Sequence, residues 1–306
     1  MIKKIYRKGK VVIKIPVFDW SNAHLWGEYH FALAMKKQFE RKNWEVLIQI
    51  YPEWNTKDDD GYDVVIVLRG IRKYIPNKRH FNIMWNISHP HYITVKEYNE
   101  YDYVFVASNI WANHISSHCD VKVESMLQCT DPELFYPQKS LKYNHELLFV
   151  GNSRNVFRNI VKDVLAINNK LAIYGSYWDK FINKKYINGI YIENKELAKA
   201  YSSCKILFND HWKDMKEEGF ISNRLFDGYG SRAFIISDNI RGHEDVFGDA
   251  LVTYNTKEEL SDSIKKYLKN ESLRKEKAIK GYEIVIKKHT FEKRIKRIIK
   301  VIEENI

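Results

Sequence analysis

Short runs of β-branched and aromatic residues alternate along this chain with longer stretches whose apolar positions recur every three or four residues. That alternation predicts stacked βαβ units with parallel sheets, since parallel strands need a crossover and a helix is its usual form. In the first half, strands are expected at 11–17, 45–51, 64–68, 82–86, 103–107 and 122–126. A first helix is expected over 27–42, with Phe31, Met35 and Phe39 stacked on one face at i, i+4. Residues 128–143, QCTDPELFYPQKSLKY, carry Pro132 and Pro137 without a sustained period and read as a linker. After them the alternation restarts. Strands are expected at 147–151, 171–174, 206–209 and 233–237, and helices from 156, around 195–203, over 222–229 and three times at the C-terminal end. The predicted fold class is α/β, with two doubly wound Rossmann-like domains facing across a cleft. The domains are drawn at 1–137 and 138–306, and the last helix is a candidate to pack back on the N-terminal one. In such sheets ligands bind at the carboxyl ends of the strands, so the chemistry is sought in the loops that follow them.

Composition narrows the compartment more than the function. With 44% hydrophobic residues the 306-residue chain can bury sizeable cores, and no apolar run approaches the roughly 20 residues of a membrane span. The start, MIKKIYRKGKVVIKIPV, is basic but lacks a long apolar region and a small-residue cleavage site, so it reads as a strand and not a signal peptide. Three widely spaced cysteines, Cys119, Cys129 and Cys204, show no metal-ligand spacing and fit free thiols in a reducing compartment. A cytoplasmic location is therefore expected. Fifty Lys and Arg against 39 Asp and Glu give a net charge of +11, which suits nucleic acid, anionic membrane or phosphorylated small molecules. Much of the basic excess lies between Lys265 and Lys300 at helical spacing, where an amphipathic helix is a candidate for peripheral contact with the inner face of the membrane. A solvated helix face is the equal alternative.

Three constellations fall in the predicted strand-end loops. Gly151, Asn152 and Arg154, with Arg158 after them, end a buried strand at the opening of a helix. Glycine allows close backbone approach, a helix N-terminus offers N–H groups, and arginine forks onto phosphate oxygens, so these residues read as a diphosphate cradle. The second set is Asn209, Gly219, Ser222, Asn223, Arg224 and Asp227. Ser222 is the expected N-cap, with Asn223 and Asp227 at i, i+4 on one helix face and the Asp227 carboxylate suited to both hydroxyls of a ribose. The third set follows strands of the first half. It comprises Trp20 and Trp26 for stacking on a sugar, Arg69 for acceptor or sugar contact, and His24, Glu28 and His89 for proton transfer. For each, a local structural role competes with the functional one; it is their grouping at strand ends that favours a site.

LLFVGNSRNVFR, NDHWKDMKEEGFISNRLFDGYGSRAFIISD and HEDVFGDALVTYNTKEEL together resemble the C-terminal domain of GT-B glycosyltransferases, in the bacterial CgeB/YkvP-like (spore-protein-type) branch. The linker segment from Cys129 to Pro137 is similar to the G-V-D-x-x-x-F-x-P stretch that joins the two domains there. WGEYHFALAMKKQFERKNWEV is similar to the first strand-loop-helix of that family, so the resemblance spans nearly the whole chain. It implies a nucleoside-diphosphate-sugar donor held by the C-terminal half, with Asp227 in the place of the acid that holds the ribose. Gly228-Tyr229-Gly230-Ser231 stands where an A-C-G turn is usual. Glu218 and Asp227 are one residue too far apart for the E-x7-E pattern of retaining enzymes. No D-x-D motif ends a strand, because Asp58-Asp59-Asp60 lies in a polar loop before one.

The expected function is therefore metal-independent transfer of a sugar from a nucleoside-diphosphate sugar to an acceptor hydroxyl, in bacterial glycan, polysaccharide or glycoconjugate synthesis. No cofactor and no metal are expected. The expected acceptor is a glycan, a lipid-linked group or a protein, and not nucleic acid. His89, before Pro90, is the favoured base. Rival readings are a nucleotide-sugar epimerase on the same fold and a nucleic-acid-binding or nucleic-acid-modifying protein using the basic surface.

Overall fold

The structure, a computed structural model, describes residues 9–168 and 170–306. The basic start, residues 1–8, lies outside them. The chain divides into two units. One takes the described part of Met1–Gln128 together with Trp212–Ile221 and Phe291–Ile306; the other takes Cys129–His211 and Ser222–Thr290. The division thus falls between Gln128 and Cys129, ahead of the boundary drawn at Pro137.

The first unit holds six strands: β1 (Lys10–Lys14), β2 (Glu45–Gln49), β3 (Val64–Arg69), β4 (Phe81–Asn86), β5 (Tyr103–Val106) and β6 (Val123–Ser125). All pair in parallel, in the order β2-β1-β3-β4-β5-β6. The second unit holds β7 (Leu147–Val150), β8 (Leu171–Tyr174), β9 (Ile187–Gly189), β10 (Ile206–Asn209), β11 (Ile235–Asp238) and β12 (Val252–Tyr254). They too are parallel, in the order β12-β11-β10-β7-β8-β9. Strands β9 and β12, three residues each, were not among the expected strands. The helix expected from 156 begins at Asn159, and the one expected to 42 ends at Glu40.

Winding direction matters most for function. In the first sheet the chain steps from β1 outward to β2, then returns to the other side of β1 for β3. In the second it steps from β7 out through β8 and β9, then returns beside β7 for β10. Where the direction reverses, two adjacent loops diverge to opposite faces and leave a crevice at the strand ends. The crevices are bounded by the loops after β1 and β3 in the first unit, and after β7 and β10 in the second.

Two features bear on the sequence expectations. Lys14, which the pattern left as a polar interruption of β1, is fully buried. Its ammonium donates to Gln49 Oε1 at 2.5 Å, the Trp54 carbonyl at 2.8 Å and Asp59 Oδ2 at 3.0 Å. All three protons are satisfied, so the acidic loop around Asp59 is an internal ion-pair partner that pins the segment after β2 to the sheet. The C-terminal helix Phe291–Asn305 buries Phe291, Ile295, Ile298, Val301 and Ile302 in the first unit, and Arg297 pairs with Glu124 at 2.6 Å. Its apolar face is used in packing, which leaves charge alone for any membrane surface. Among the described residues no helix is long and apolar enough to cross a membrane.

Candidate active site

In the second unit the crevice between the β7 and β10 loops gathers two arginines around Gly151. A Cβ built there would stand 2.8 Å from Arg224 Nη2 and 3.1 Å from Arg158 Nη1, and the backbone has φ +156°. Both conditions reserve the position for glycine. The Gly151 carbonyl accepts from Trp178 Nε1 at 2.8 Å, and its N–H donates to Tyr174 O at 2.8 Å. Gly175 packs so closely that a Cβ on it would meet the Gly151 carbonyl at 2.1 Å. The loop is thus clamped from beneath while the guanidinium groups lie beside it.

The arginines have different duties. Arg158 is buried and forks onto Asp210, Nε to Oδ2 at 3.0 Å and Nη2 to Oδ1, while Nη1 donates to Asn152 O at 2.9 Å. That fork holds the loop and the positive potential, and Nη1 and Nη2 each keep a second N–H. Arg224 donates Nη1 to Asn209 Oδ1 at 2.8 Å and lies over the Phe149 ring, 5.4 Å from its centroid. Its Nη2 is the group beside Gly151. Arg154 stands in a left-handed turn at φ 64°. Burial, then the nearby charge of Arg158, loosens the Arg154 proton; Asp210 opposes this and Arg224 reinforces it. Three cations against Asp210 and Asp238 leave an electropositive spot at a strand end, which an anion would relieve.

Asn209 and Ser222 serve as scaffold. Ser222 stands at the N-cap position, as expected, but its Oγ donates to Asn209 Oδ1 at 3.0 Å and makes no capping hydrogen bond to the helix. Asn209 Nδ2 donates to Ser237 Oγ at 3.0 Å. His211 completes the frame. Its Nε2 accepts the Ser222 N–H at 3.0 Å, so the ring proton must be on Nδ1, which donates to Asp238 Oδ1 at 2.7 Å. One neutral tautomer thereby fixes where helix Asn223–Gly230 starts. Asn152 Oδ1 accepts from Ser176 N at 2.8 Å.

On that helix Asn223 Nδ2 donates to Asp227 Oδ2 at 2.7 Å, as the i, i+4 spacing implies, and Thr130 Oγ1 donates to Oδ1 at 2.7 Å. Burial pushes the Asp227 carboxyl up to about 8 against the pull of those two donors. The Asn223 Oδ1 atom is buried with no hydrogen-bond partner. Gly219 follows the short helix Lys213–Glu217 in the first unit, where Met215 and Phe220 bury their side chains in the core.

In the first unit His89 takes a left-handed conformation, φ 53°, at the end of the β4 loop. Its Nδ1 lies 2.9 Å from Ser88 Oγ, and its ring is flanked by Tyr92 and Trp212 at centroid distances of 5.3 and 5.7 Å. Glu28 opens helix Gly27–Glu40. Burial raises its carboxyl above the ordinary range, opposed by a hydrogen bond from its own backbone N–H. Around Gly70 it approaches Ser88: a Cβ there would be 2.8 Å from Ser88 Oγ and 4.0 Å from Glu28 Oε1. His24 sits on the exposed turn Trp20–Leu25, where its carbonyl accepts from His30 Nε2 at 2.7 Å. Arg69 is buried, forks onto Glu97 at 2.6 and 3.2 Å and donates to the Tyr92 carbonyl at 3.1 Å and to the Gly70 carbonyl, so it braces the loops. Trp20 is exposed, its Nε1 donating to Glu53 Oε1 at 2.6 Å, and the Trp26 ring lies 6.4 Å from Phe18.

Thr130, His211 and Asp238 were missed or left unassigned as site residues. All three lie in segments that resemble the family, Thr130 in the interdomain stretch and His211 and Asp238 in the stretch from Asn209 to Asp238. Among the described residues no three His, Cys, Asp or Glu side chains are grouped as a metal site.

Comparison with known proteins now has geometry to meet. Residues 154–300 match the family described as Glycosyl transferase-like. No curated protein matches the chain. Among solved structures, sucrose-phosphate synthase (tll1590) from Thermosynechococcus elongatus is similar at TM-score 0.71 and 11% identity, covering 97% of this chain and 99% of that one. Anabaena Alr3699/HepE, in complex with UDP and glucose, gives TM-score 0.64 at 9% identity over 97% and 100% of the two chains. T4 phage BGT with its UDP-glucose substrate gives 0.61 at 16%, over 97% and 99%. The structural likenesses show the fold, two parallel α/β units as in GT-B glycosyltransferases, and the sequence match to the Glycosyl transferase-like family covers residues 154–300.

Proposed function

We propose that the protein transfers a sugar from a nucleoside-diphosphate sugar to an acceptor hydroxyl without a divalent metal. The observation that carries this reading is the convergence of Arg224 and Arg158 on Gly151, with Arg154 within reach of their charges and the Asp227 carboxyl within reach of that of Arg224. In this reading the diphosphate lies against Gly151 and these arginines, and Asp227 takes the ribose hydroxyls. The bond from the sugar's anomeric carbon to the diphosphate oxygen breaks as the acceptor oxygen bonds to that carbon. Charge develops on the leaving diphosphate, where fixed guanidinium and backbone donors stabilise it most. His89 takes the acceptor proton; Glu28 is the second candidate in the same unit. Two of the structures above hold UDP or UDP-glucose, which favours a uridine donor. A role in bacterial polysaccharide or glycoconjugate synthesis, and placement in the CgeB/YkvP-like branch, rest on the sequence resemblance. So does the cytoplasmic setting.

The test is a thermal-shift series with UDP, GDP, TDP, ADP and CMP, with magnesium and with EDTA. A ligand at about 100 times its dissociation constant stabilises the fold by roughly 2.7 kcal/mol. One diphosphate should raise the melting temperature equally in both buffers and lose its effect in Arg224→Gln. No shift with any nucleotide refutes the donor site, and a shift that needs magnesium refutes the metal-free reading.

A further inference from the structure

The loops after β1, β2 and β3 bring together side chains that the donor chemistry does not use. Phe18 and Tyr51 are exposed, at 43% and 37%, and their rings meet edge to face at 5.3 Å. Trp20, 44% exposed, is held by its bond to Glu53 and by edge contact with Tyr29 at 6.2 Å. Apolar rings in water at a strand-end crevice are costly unless something covers them. Arg72 lies among them, its guanidinium 4.6 Å from the Phe18 centroid and 5.2 Å from that of Tyr51.

Arg72 is the unusual member. Other arginines around the sheet are spent on carboxylates: Arg69 on Glu97, Arg79 on Asp59, Arg297 on Glu124. Arg72 has no hydrogen bond or ion pair among the described residues, and its Nε is buried without a partner. The nearest loop acids are otherwise engaged: Glu53 accepts from Trp20 and from Ile50 N, and Asp19 accepts from Ser21 and Asn22. A buried donor left unmade is expensive, and a planar fork held between two rings is set for a carboxylate or phosphate.

We infer that Phe18, Trp20, Tyr51 and Arg72 form an acceptor subsite for an anionic saccharide, whose ring stacks on the aromatics while its carboxylate or phosphate pairs with Arg72. The inference rests on the glycosyltransferase reading and deepens it. Aromatic faces take the C–H face of a sugar, and the single cation asks for a single anionic group. A nucleic-acid strand also stacks on aromatics, but it needs a track of cations, whereas Asp19 and Glu53 stand in these loops beside one unpaired arginine.

Ligand-observed NMR on the full chain would compare methyl β-D-glucuronide, glucose 6-phosphate, methyl β-D-glucoside, inorganic phosphate and a ten-residue oligothymidylate. At least one anionic sugar should bind ten-fold or more tighter than the neutral glucoside, and which one does tells carboxylate from phosphate. Arg72→Met should abolish that preference, and Phe18→Ala should weaken both classes. Equal binding of anionic and neutral sugars overturns the inference, as does inorganic phosphate binding as well as glucose 6-phosphate. Tighter binding of the oligothymidylate, lost in Arg72→Met, overturns it in favour of a nucleic-acid acceptor. Should Arg72→Met fail to fold, the ligand comparison on the unaltered chain decides alone. The same samples receive UDP: a UDP shift without anionic-sugar preference defeats this inference only, while loss of the UDP shift defeats the donor reading.

Discussion

Thr130 donates a 2.7 Å hydrogen bond to Asp227, tying the segment just after Gln128 to the middle of helix Asn223–Gly230. The backbone around it is held as well, Thr130 N donating to His289 O at 3.0 Å and the residue pairing in parallel with Thr290. The carboxylate proposed to hold the ribose is thus positioned from two sides, by Thr130 and by Asn223. A donor on each oxygen also opposes the burial that favours its protonated form.

The position of that carboxyl sets a pH dependence. Its folded value of about 8 is raised from the 3.8 of an open chain. The stability it contributes is therefore fully present below about 3.8 and lost as pH rises through about 8. Asp227→Asn should stabilise the empty protein more at pH 8.5 than at pH 5.5, read as the difference in melting temperature between variant and parent. An equal change at both values would show that the group is ionised throughout. In the proposed complex, ribose hydroxyls donate to the carboxylate, so nucleotide binding at pH 7 should release a proton. Calorimetry in two buffers of different ionisation enthalpy measures it.

Arg158 and Arg154 should separate on substitution. Arg158→Met strands Asp210 in a buried place, and losing one partner of such a pair costs about 3–5 kcal/mol, so the melting temperature should fall by many degrees. Arg154→Ala should leave folding nearly intact and weaken nucleoside-diphosphate binding by ten-fold or more. Denaturant titration and calorimetry on the two variants provide the comparison. The reverse pattern would exchange the roles assigned to them.

Lys14 offers a test of the buried ion pair. Lys14→Met leaves Asp59 without its buried partner and should cost about 3–5 kcal/mol. Adding Asp59→Asn should recover part of that loss, since the uncompensated charge is then gone. A double-mutant cycle by chemical denaturation measures the coupling; additive losses would mean that Arg79 already neutralises Asp59.

The acceptor base is separable by pH. If His89 takes the proton, His89→Ala should lower kcat by about 100-fold or more and remove the acid limb of the kcat/KM profile. Glu28→Gln should then change the rate only a few-fold. A few-fold loss in His89→Ala with a collapse in Glu28→Gln would move the role to Glu28, whose carboxyl burial already raises.

Backbone clearance at the phosphate loop gives a last check. Gly175→Ala would drive a methyl group into the Gly151 carbonyl. It should lower nucleotide affinity by ten-fold or more, measured by calorimetry, while Gly27→Ala, with nothing within 4 Å of the added carbon, should not.

Period and strand-end chemistry sufficed to place most strands, both parallel sheets and the loops carrying Gly151, Arg224, Asp227, Glu28 and His89. Those features are local: β-branched runs, helical spacing and a glycine before arginines have the same meaning in any surroundings. The i, i+4 bond from Asn223 to Asp227 was readable for the same reason. Which arginines pair with buried carboxylates was not readable, because Arg69 finds Glu97 and Arg158 finds Asp210 across 28 and 52 residues of sequence. The same holds for Lys14 with Asp59, for Met215 and Phe220 drawing Gly219 into the first unit, and for Arg72 between Phe18 and Tyr51. Side-chain partners brought together by strand order are properties of the packed sheet. A residue's own neighbours in sequence determine its conformation; only the tertiary structure decides whether its charge is spent.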